Sequence, residues 1–283
     1  MMIKMLARAS GIACFLLVAA GVAQAEDPGW EGGFIGVGPD GVYEIDRYSY
    51  EITQISDVGI GQRYDTGGAA GWDFEHPGGV LASYYSSLDD LNHLYSIDCG
   101  TGSITELGGV SWDPPAFDGG VFRDIAFDIT TDRLYAYSHS TGTWHVDPAT
   151  LLCNHMCSWA CDMEGMEFVS GIGLCGFEND SDEFVRLTDE HHMGFAEIGP
   201  HGMGIRMDGD LAWDRRTKTL LAATGDELWR IDIDTGAGTL ISSGGPRITG
   251  LAMPAHTPEP ASCILLACSG IIVAIGRRRG KTE

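Results

Sequence analysis

A four-part pattern recurs along this chain at a spacing of roughly 40–50 residues, and self-similarity at that period marks a bladed β-architecture. Its clearest copy reads Leu211-Ala-Trp-Asp214, Leu220-Leu-Ala-Ala-Thr224, Glu227-Leu-Trp-Arg-Ile-Asp232 and Thr239-Leu-Ile-Ser242. Each part is a short apolar or alternating run bounded by Gly, Asp or Thr, which predicts four antiparallel strands. The first part recurs as Ala70-Gly-Trp-Asp73, Ile125-Ala-Phe-Asp128 and, in weaker form, Gly165-Met-Glu-Phe168. The third recurs as Val42-Tyr-Glu-Ile-Asp46, Leu94-Tyr-Ser-Ile-Asp98, Thr143-Trp-His-Val-Asp147 and Glu183-Phe-Val-Arg-Leu187. The Asp that ends a strand before Thr-Gly, as in Asp234-Thr235-Gly236, reads as turn chemistry: its carboxylate accepts local N–H groups and the Gly takes positive φ.

The first copy lacks its opening part and begins at Gly33-Phe-Ile-Gly-Val37, a second-part sequence. The missing part stands at the far end, Ile248-Thr-Gly-Leu-Ala-Met253, with no strand pattern after it. The expected fold is therefore all-β: a propeller of five blades, each of four antiparallel strands, closed by the C-terminal strand. Closure removes exposed sheet edges.

Both ends carry transport signals. Lys4 and Arg8 precede an apolar segment from Ile12 to Val22, then Ala23-Gln24-Ala25; this order predicts a signal helix cleaved after Ala25. Cys14 lies inside the apolar segment, away from that boundary, which argues against a lipoprotein. At the other end Pro258-Glu259-Pro260 leads into an apolar run, Ala261 to Gly276, and then Arg277, Arg278, Arg279 and Lys281. Sixteen helical residues span roughly 24 Å, short of a hydrocarbon core of about 30 Å. Short length, basic stop and rigid boundary together resemble the PEP-CTERM sorting signal of Gram-negative bacteria. That resemblance implies handling by signal peptidase and then exosortase, with a transient inner-membrane anchor and a cell-envelope or extracellular destination. The blade pattern is also similar to secreted bacterial propeller repeats of unknown function that precede such tails. The domain expectation is residues 1–25 as signal peptide, 26–256 as propeller and 257–283 as sorting signal, both terminal helices lying outside the fold.

Between Glu26 and Thr257 only eleven basic side chains face 38 acidic ones, a net charge of −27. Such a field repels nucleic acid and anionic lipid. The expected inner-strand exit of the tail places ligand-bearing loops on the opposite face, where one blade passes to the next: Gly59 to Gly68, Gly108 to Val121, Pro148 to Asp162 and Gly199 to Met207. They carry Arg63, Tyr64, Trp112, Asp113, Asp118, Trp159 and His201. Rings stack on sugar faces and carboxylates accept hydroxyl hydrogens, so these seven are the candidate glycan contacts. Asp113 and Asp118 could instead act as an acid–base pair. Packing of loop Trp residues onto the blades is the plainer reading.

Cys153, Cys157 and Cys161, with His155, could bind a soft metal, but in an exported chain a disulfide is the default. No metal site is predicted from them. No cofactor is predicted either; calcium is the one ion that clusters such as Glu178 to Glu183, Asp208/Asp210 and Asp89/Asp90 could take, although none has the spacing of a known calcium loop. No nucleophile elbow, phosphate loop or spaced His pair is present. The expectation is an exported, non-catalytic propeller that binds a glycan or matrix protein of the envelope or exopolysaccharide. The alternative is a hydrolase or lyase acting on polysaccharide or lactone.

Overall fold

The computed structural model describes residues 32–60, 69–70, 79–86, 89–113, 120–128, 131, 133–157, 163–178, 181–187, 194–204 and 209–254, with the backbone alone for Ala69, Ala70, Asp113 and Cys157. The signal peptide, its Ala23/Ala25 site and the tail from Pro258 to Arg279 lie outside these residues. Among the described residues the elements are all strands, arranged as five sheets. The first blade contributes β1 (Phe34–Gly38), β2 (Gly41–Ile45) and β3 (Ile52–Ser56). The second contains β4 (Ala69–Ala70), β5 (Gly79–Ser86), β6 (Leu91–Asp98) and β7 (Ile104–Gly109). After a short strand β8 (Ser111–Asp113), the third holds β9 (Asp124–Asp128), β10 (Arg133–Ser138), β11 (Gly142–Asp147) and β12 (Leu152–Cys157). The fourth is β13 (Met163–Val169), β14 (Gly173–Glu178), β15 (Glu183–Leu187) and β16 (Phe195–Pro200). The fifth is β17 (Gly209–Asp214), β18 (Thr219–Ile231) and β19 (Gly238–Ile248). The last strand, β20 (Gly250–Ala252), pairs antiparallel with β1 through Ile35–Ala252, Gly36–Leu251 and Val37–Gly250. The displaced opening part thus completes the first blade, as the repeat predicts.

The ring is innermost at β4, β9, β13, β17 and β20, each touching the next around the circle. Arg47 clasps the closure. Its Nε lies 3.7 Å from the Asp214 carboxylate of blade five and donates to the Gly32 carbonyl at 3.1 Å, with Met253 beside its Nη2. Both partners of this ion pair are about 95 % buried, where removing one partner leaves an uncompensated charge.

Three features depart from the expected regularity. Blade three gains a fifth strand, because β8 crosses from the second blade and pairs parallel with the outer edge of β12. Blade five has three strands: β18 pairs with β17 over Thr219–Thr224 and with β19 over Gly225–Ile231, where the register shifts between Gly225 and Glu227 and again between Leu228 and Trp229. The segment read as a loop from Pro148 to Asp162 contains β12, a regular strand whose backbone pairs with β11 over Leu152–Cys157.

The core sits in the seams rather than in one central mass. Leu81, Leu94 and Val110 of blade two meet Phe122, Ile125, Leu134 and Trp144 of blade three. Phe177 and Phe184 meet Leu211 and Leu220 between blades four and five. Phe34 and Leu251 meet Ala212, Leu221 and Leu228 between five and one. Each seam is filled by both faces of its sheets, which is why the strands read as apolar runs more than strict alternations. Asn92 adds a polar rivet between blades two and three: its amide donates to the Gly120 carbonyl at 2.9 Å and accepts from Phe122 N–H at 2.8 Å.

Candidate functional site

The strongest concentration of chemistry lies at the centre of the ring. Asp124 opens β9 and Asp210 lies at the same place in β17, within Asp-Ile-Ala-Phe-Asp and Asp-Leu-Ala-Trp-Asp. Each carboxylate first accepts the N–H of the residue that follows it, Ile125 at 2.7 Å and Leu211 at 2.6 Å. Its second oxygen then crosses to the next blade: Asp124 accepts from Met166 N–H, and Asp210 from Leu251 N–H at 2.6 Å. Glu167 on β13 does the same, taking Phe168 N–H at 2.7 Å and Trp213 N–H at 3.3 Å. Three acids therefore staple blade three to four, four to five, and five to one. Innermost strands diverge outward from the axis and do not share a β-ladder, so their facing N–H groups need side-chain acceptors.

The three side chains are almost wholly removed from water. Burial pushes the Asp124 carboxyl well above the usual carboxylate range, and the neighbouring Asp210 carboxyl, hydrogen-bonded to it, raises it further. Burial likewise pushes Glu167 up to about 8, with Asp210 adding to the rise and the Phe168 N–H opposing it. Buried Glu164, next along β13, lies 3.5 Å from the Arg123 guanidinium.

Gly165 of β13 lies beside Asp210, one residue before the Met166 N–H that Asp124 accepts. It occupies the bulge between Glu164 and Met166 with φ of 66°. A Cβ there would approach the Phe177 ring at 3.1 Å and the Asp210 Cα at 3.4 Å.

The candidate glycan contacts do not gather here. Trp112 is half-buried in the seam between blades two and three, with its ring centroid 5.3 Å from Phe122 and 4.5 Å from Trp144, edge to face in both cases. It lies on β8, not on an open loop, so the plainer packing reading holds for it. His201 is only 3 % exposed. Its Nδ1 sits 3.0 Å from Asp182 Oδ1 and 3.2 Å from Met203 N–H, while its ring stands edge to face on Phe177 at 4.8 Å. Burial lowers its pKa and Asp182 partly offsets that. His201 is a seam residue between blades four and five. Asp113 stands on β8 opposite Asn154; Arg63, Tyr64, Asp118 and Trp159 lie outside the described residues.

Of the disulfide candidates, Cys153 is a buried free thiol on β12, packed in the seam between blades two and three, and burial raises its pKa. Cys157 stands four residues further along the same strand, roughly 13 Å away at about 3.3 Å per residue. That exceeds the Cα separation of about 7 Å a disulfide tolerates, so a Cys153–Cys157 bridge is ruled out; Cys161 lies outside the described residues. His155 gives its Nε2 to the Thr141 carbonyl at 3.0 Å and its ring to Trp144. Among the described residues no group of three His, Cys, Asp or Glu side chains is placed to hold a metal ion. The acidic clusters are dispersed: Asp210 is at the ring centre, Asp182 holds His201, and Asp89 and Glu106 flank His93 at 2.9 and 2.7 Å.

Asp124 and Glu167 escaped the sequence reading, and Asp210 entered it only as half of a calcium cluster, although a signal for a shared role existed. Asp124 and Asp210 share one repeat position, in strands otherwise apolar. An acid recurring inside a core strand demands an internal partner.

No family model matches this chain, and no curated protein does. Solved structures do. A chain of the nidogen/laminin complex superposes with a TM-score of 0.51 at 10 % identity, over 78 % of this chain and 97 % of that one. A protein of unknown function from Bacteroides thetaiotaomicron gives 0.49 at 10 % identity, over 82 % of this chain and 66 % of that one. TolB from Acinetobacter baumannii gives 0.44 at 14 % identity, over 84 % and 70 %. At such identity the first of these speaks to fold, and it agrees with a β-propeller.

Proposed function

We propose that this chain is an exported, exosortase-sorted propeller that serves as a non-catalytic binding or matrix protein of the cell envelope or exopolysaccharide. The observation that carries the reading is the pairing of a leader ending in Ala23-Gln24-Ala25 with the Pro258-Glu259-Pro260 tail and its Arg277–Arg279 stop. The described acids support it from another side, because Asp124, Glu167 and Asp210 are engaged by backbone N–H groups across seams. Such acids hold the ring together and are shielded from a polysaccharide chain. The ligand surface of this reading is the set of blade-to-blade loops, with Arg63, Tyr64, Asp118 and Trp159 as its ring and charge contacts and calcium as an optional bridge.

Two measurements test it. Mass spectrometry of the native exported protein should place the N-terminus at Glu26 and find no peptide beyond Pro260; recovery of Arg277–Lys281 on the extracellular form would sink exosortase processing. A glycan array probed with that protein, with and without calcium, should show retention on acidic or neutral polysaccharide without turnover. Cleavage of a polysaccharide or lactone in the same panel would replace the binding reading with the hydrolase or lyase one.

A further inference from the structure

The ring centre holds an arrangement that its stapling role alone does not require. Asp124 and Asp210 belong to blades three and five, yet their carboxyls hydrogen-bond one another, and β13 of blade four touches both, through Met166 N–H on Asp124 and Gly165 beside Asp210. Two carboxylates cannot both be ionised at hydrogen-bond range in a dry site; one proton must lie between them. All four oxygens are also claimed by backbone donors, from Ile125, Met166, Leu211 and Leu251, so neither side chain can swing away without abandoning a seam.

We propose that one proton shared by Asp124 and Asp210 is a structural ligand of the ring, joining blades three and five across blade four, and that its loss to solvent hydroxide in alkaline medium loosens the seams on either side of β13. The charged groups around the pair reinforce this direction. From β13, Glu167 adds like charge and Glu164 is held by Arg123. From the turn after β17, Arg215 favours ionised Glu167; at the strand ends, Asp214 is claimed by Arg47 and Asp128 by Thr131. The closing strand β20 brings no titratable side chain. Folding raises the affinity of the pair for its proton, so the stability it contributes is complete below the ordinary Asp range, near 3.9, and is lost as pH rises toward the pair's own folded value.

The test is the thermal midpoint of the mature protein from pH 5 to 9 at fixed ionic strength, for the wild type, Asp124→Asn, Asp210→Asn and the exposed control Asp226→Asn. An amide carries a permanent donor in place of the shared proton while its oxygen still accepts one backbone N–H. The wild type and the control should lose midpoint in parallel as pH rises, and both pair variants should lose clearly less. Parallel curves for all four would overturn the proposal. If neither pair variant folds, infrared spectra of wild-type protein carrying carboxyl-labelled Asp decide it: a protonated Asp carbonyl band must be present at pH 7, and its absence overturns the assignment. Recovery of the pH 9 midpoint on adding calcium would also overturn it, by showing a cation where the proton is placed.

Discussion

Aspartates at the rim and at the centre of this ring perform the same elementary task, accepting backbone N–H groups, and their acidities move in opposite directions. At the rim, Asp147 ends β11 and accepts from Ala149 and Thr150 N–H; the Thr150 side chain and these N–H groups hold its carboxyl below the usual range. Asp46 and Asp232 end their strands the same way, held low first by the N–H of Ser49 and of Thr235 respectively. At the centre, Asp124 and Glu167 accept comparable bonds, yet burial outweighs the bonds and drives both upward. The backbone N–H bonds favour the ionised form in both places. Water is the difference, because only the rim carboxylates keep their hydration. Rim acids therefore stabilise the fold at neutral pH, and central acids stabilise it most when protonated.

The hardest way to break this contrast is Asp210→Ala. It strands the Leu211 and Leu251 N–H groups in a dry seam, at about 1–3 kcal/mol each, so denaturant titration at pH 7 should show a loss of about 2–6 kcal/mol. Glu167→Gln tests sign instead of size. Wild-type stability should fall by up to about 1.4 kcal/mol per pH unit through this one group as pH rises from the unfolded Glu range toward its folded value of about 8. The Gln variant should lack that share of the slope and gain on the wild type with every step into alkali. Gly165→Ala imposes a Cβ at φ of 66° against Phe177 and should cost about 1–2 kcal/mol, visible as a lower midpoint at every pH. Asp147→Ala is the smallest, about 1 kcal/mol or less given its exposure. Its pH signature is the reverse of Glu167: a lowered folded pKa means the contribution is present above the ordinary Asp range and vanishes as pH falls through the folded value. Should Asp147→Ala and Glu167→Gln alter the slope in the same direction, the contrast between rim and centre is wrong.

Much of the architecture was legible because it is written locally. The strand-final Asp motif appears in the structure as read, with one adjustment: the acceptor in Asp232-Ile-Asp234-Thr235-Gly236 is Asp232, which ends the strand, while Gly236 takes φ of 77°. The displaced first part, Ile248 to Met253, encodes the closure in the sequence itself, since an incomplete blade at one end and a surplus strand at the other have one economical solution. The site was less legible. Trp112 and His201 sit among polar, irregular sequence that looks like open loop, and only the crossing of β8 to β12 and the packing of Phe177 turn them inward. Cys153 and Cys157 looked like neighbours able to bridge until β12 extended the chain between them.

By itself the sequence determined the strand type, the turn chemistry, the number of blades and the point of closure, because periodicity and turn residues act over a few positions and need no partner from elsewhere. Only the tertiary structure decided which acids lose water. Asp124 and Asp210 stand 86 positions apart and meet because the ring brings blades three and five to one axis. Hydration is set by what surrounds a carboxyl in three dimensions, and no local pattern encodes it.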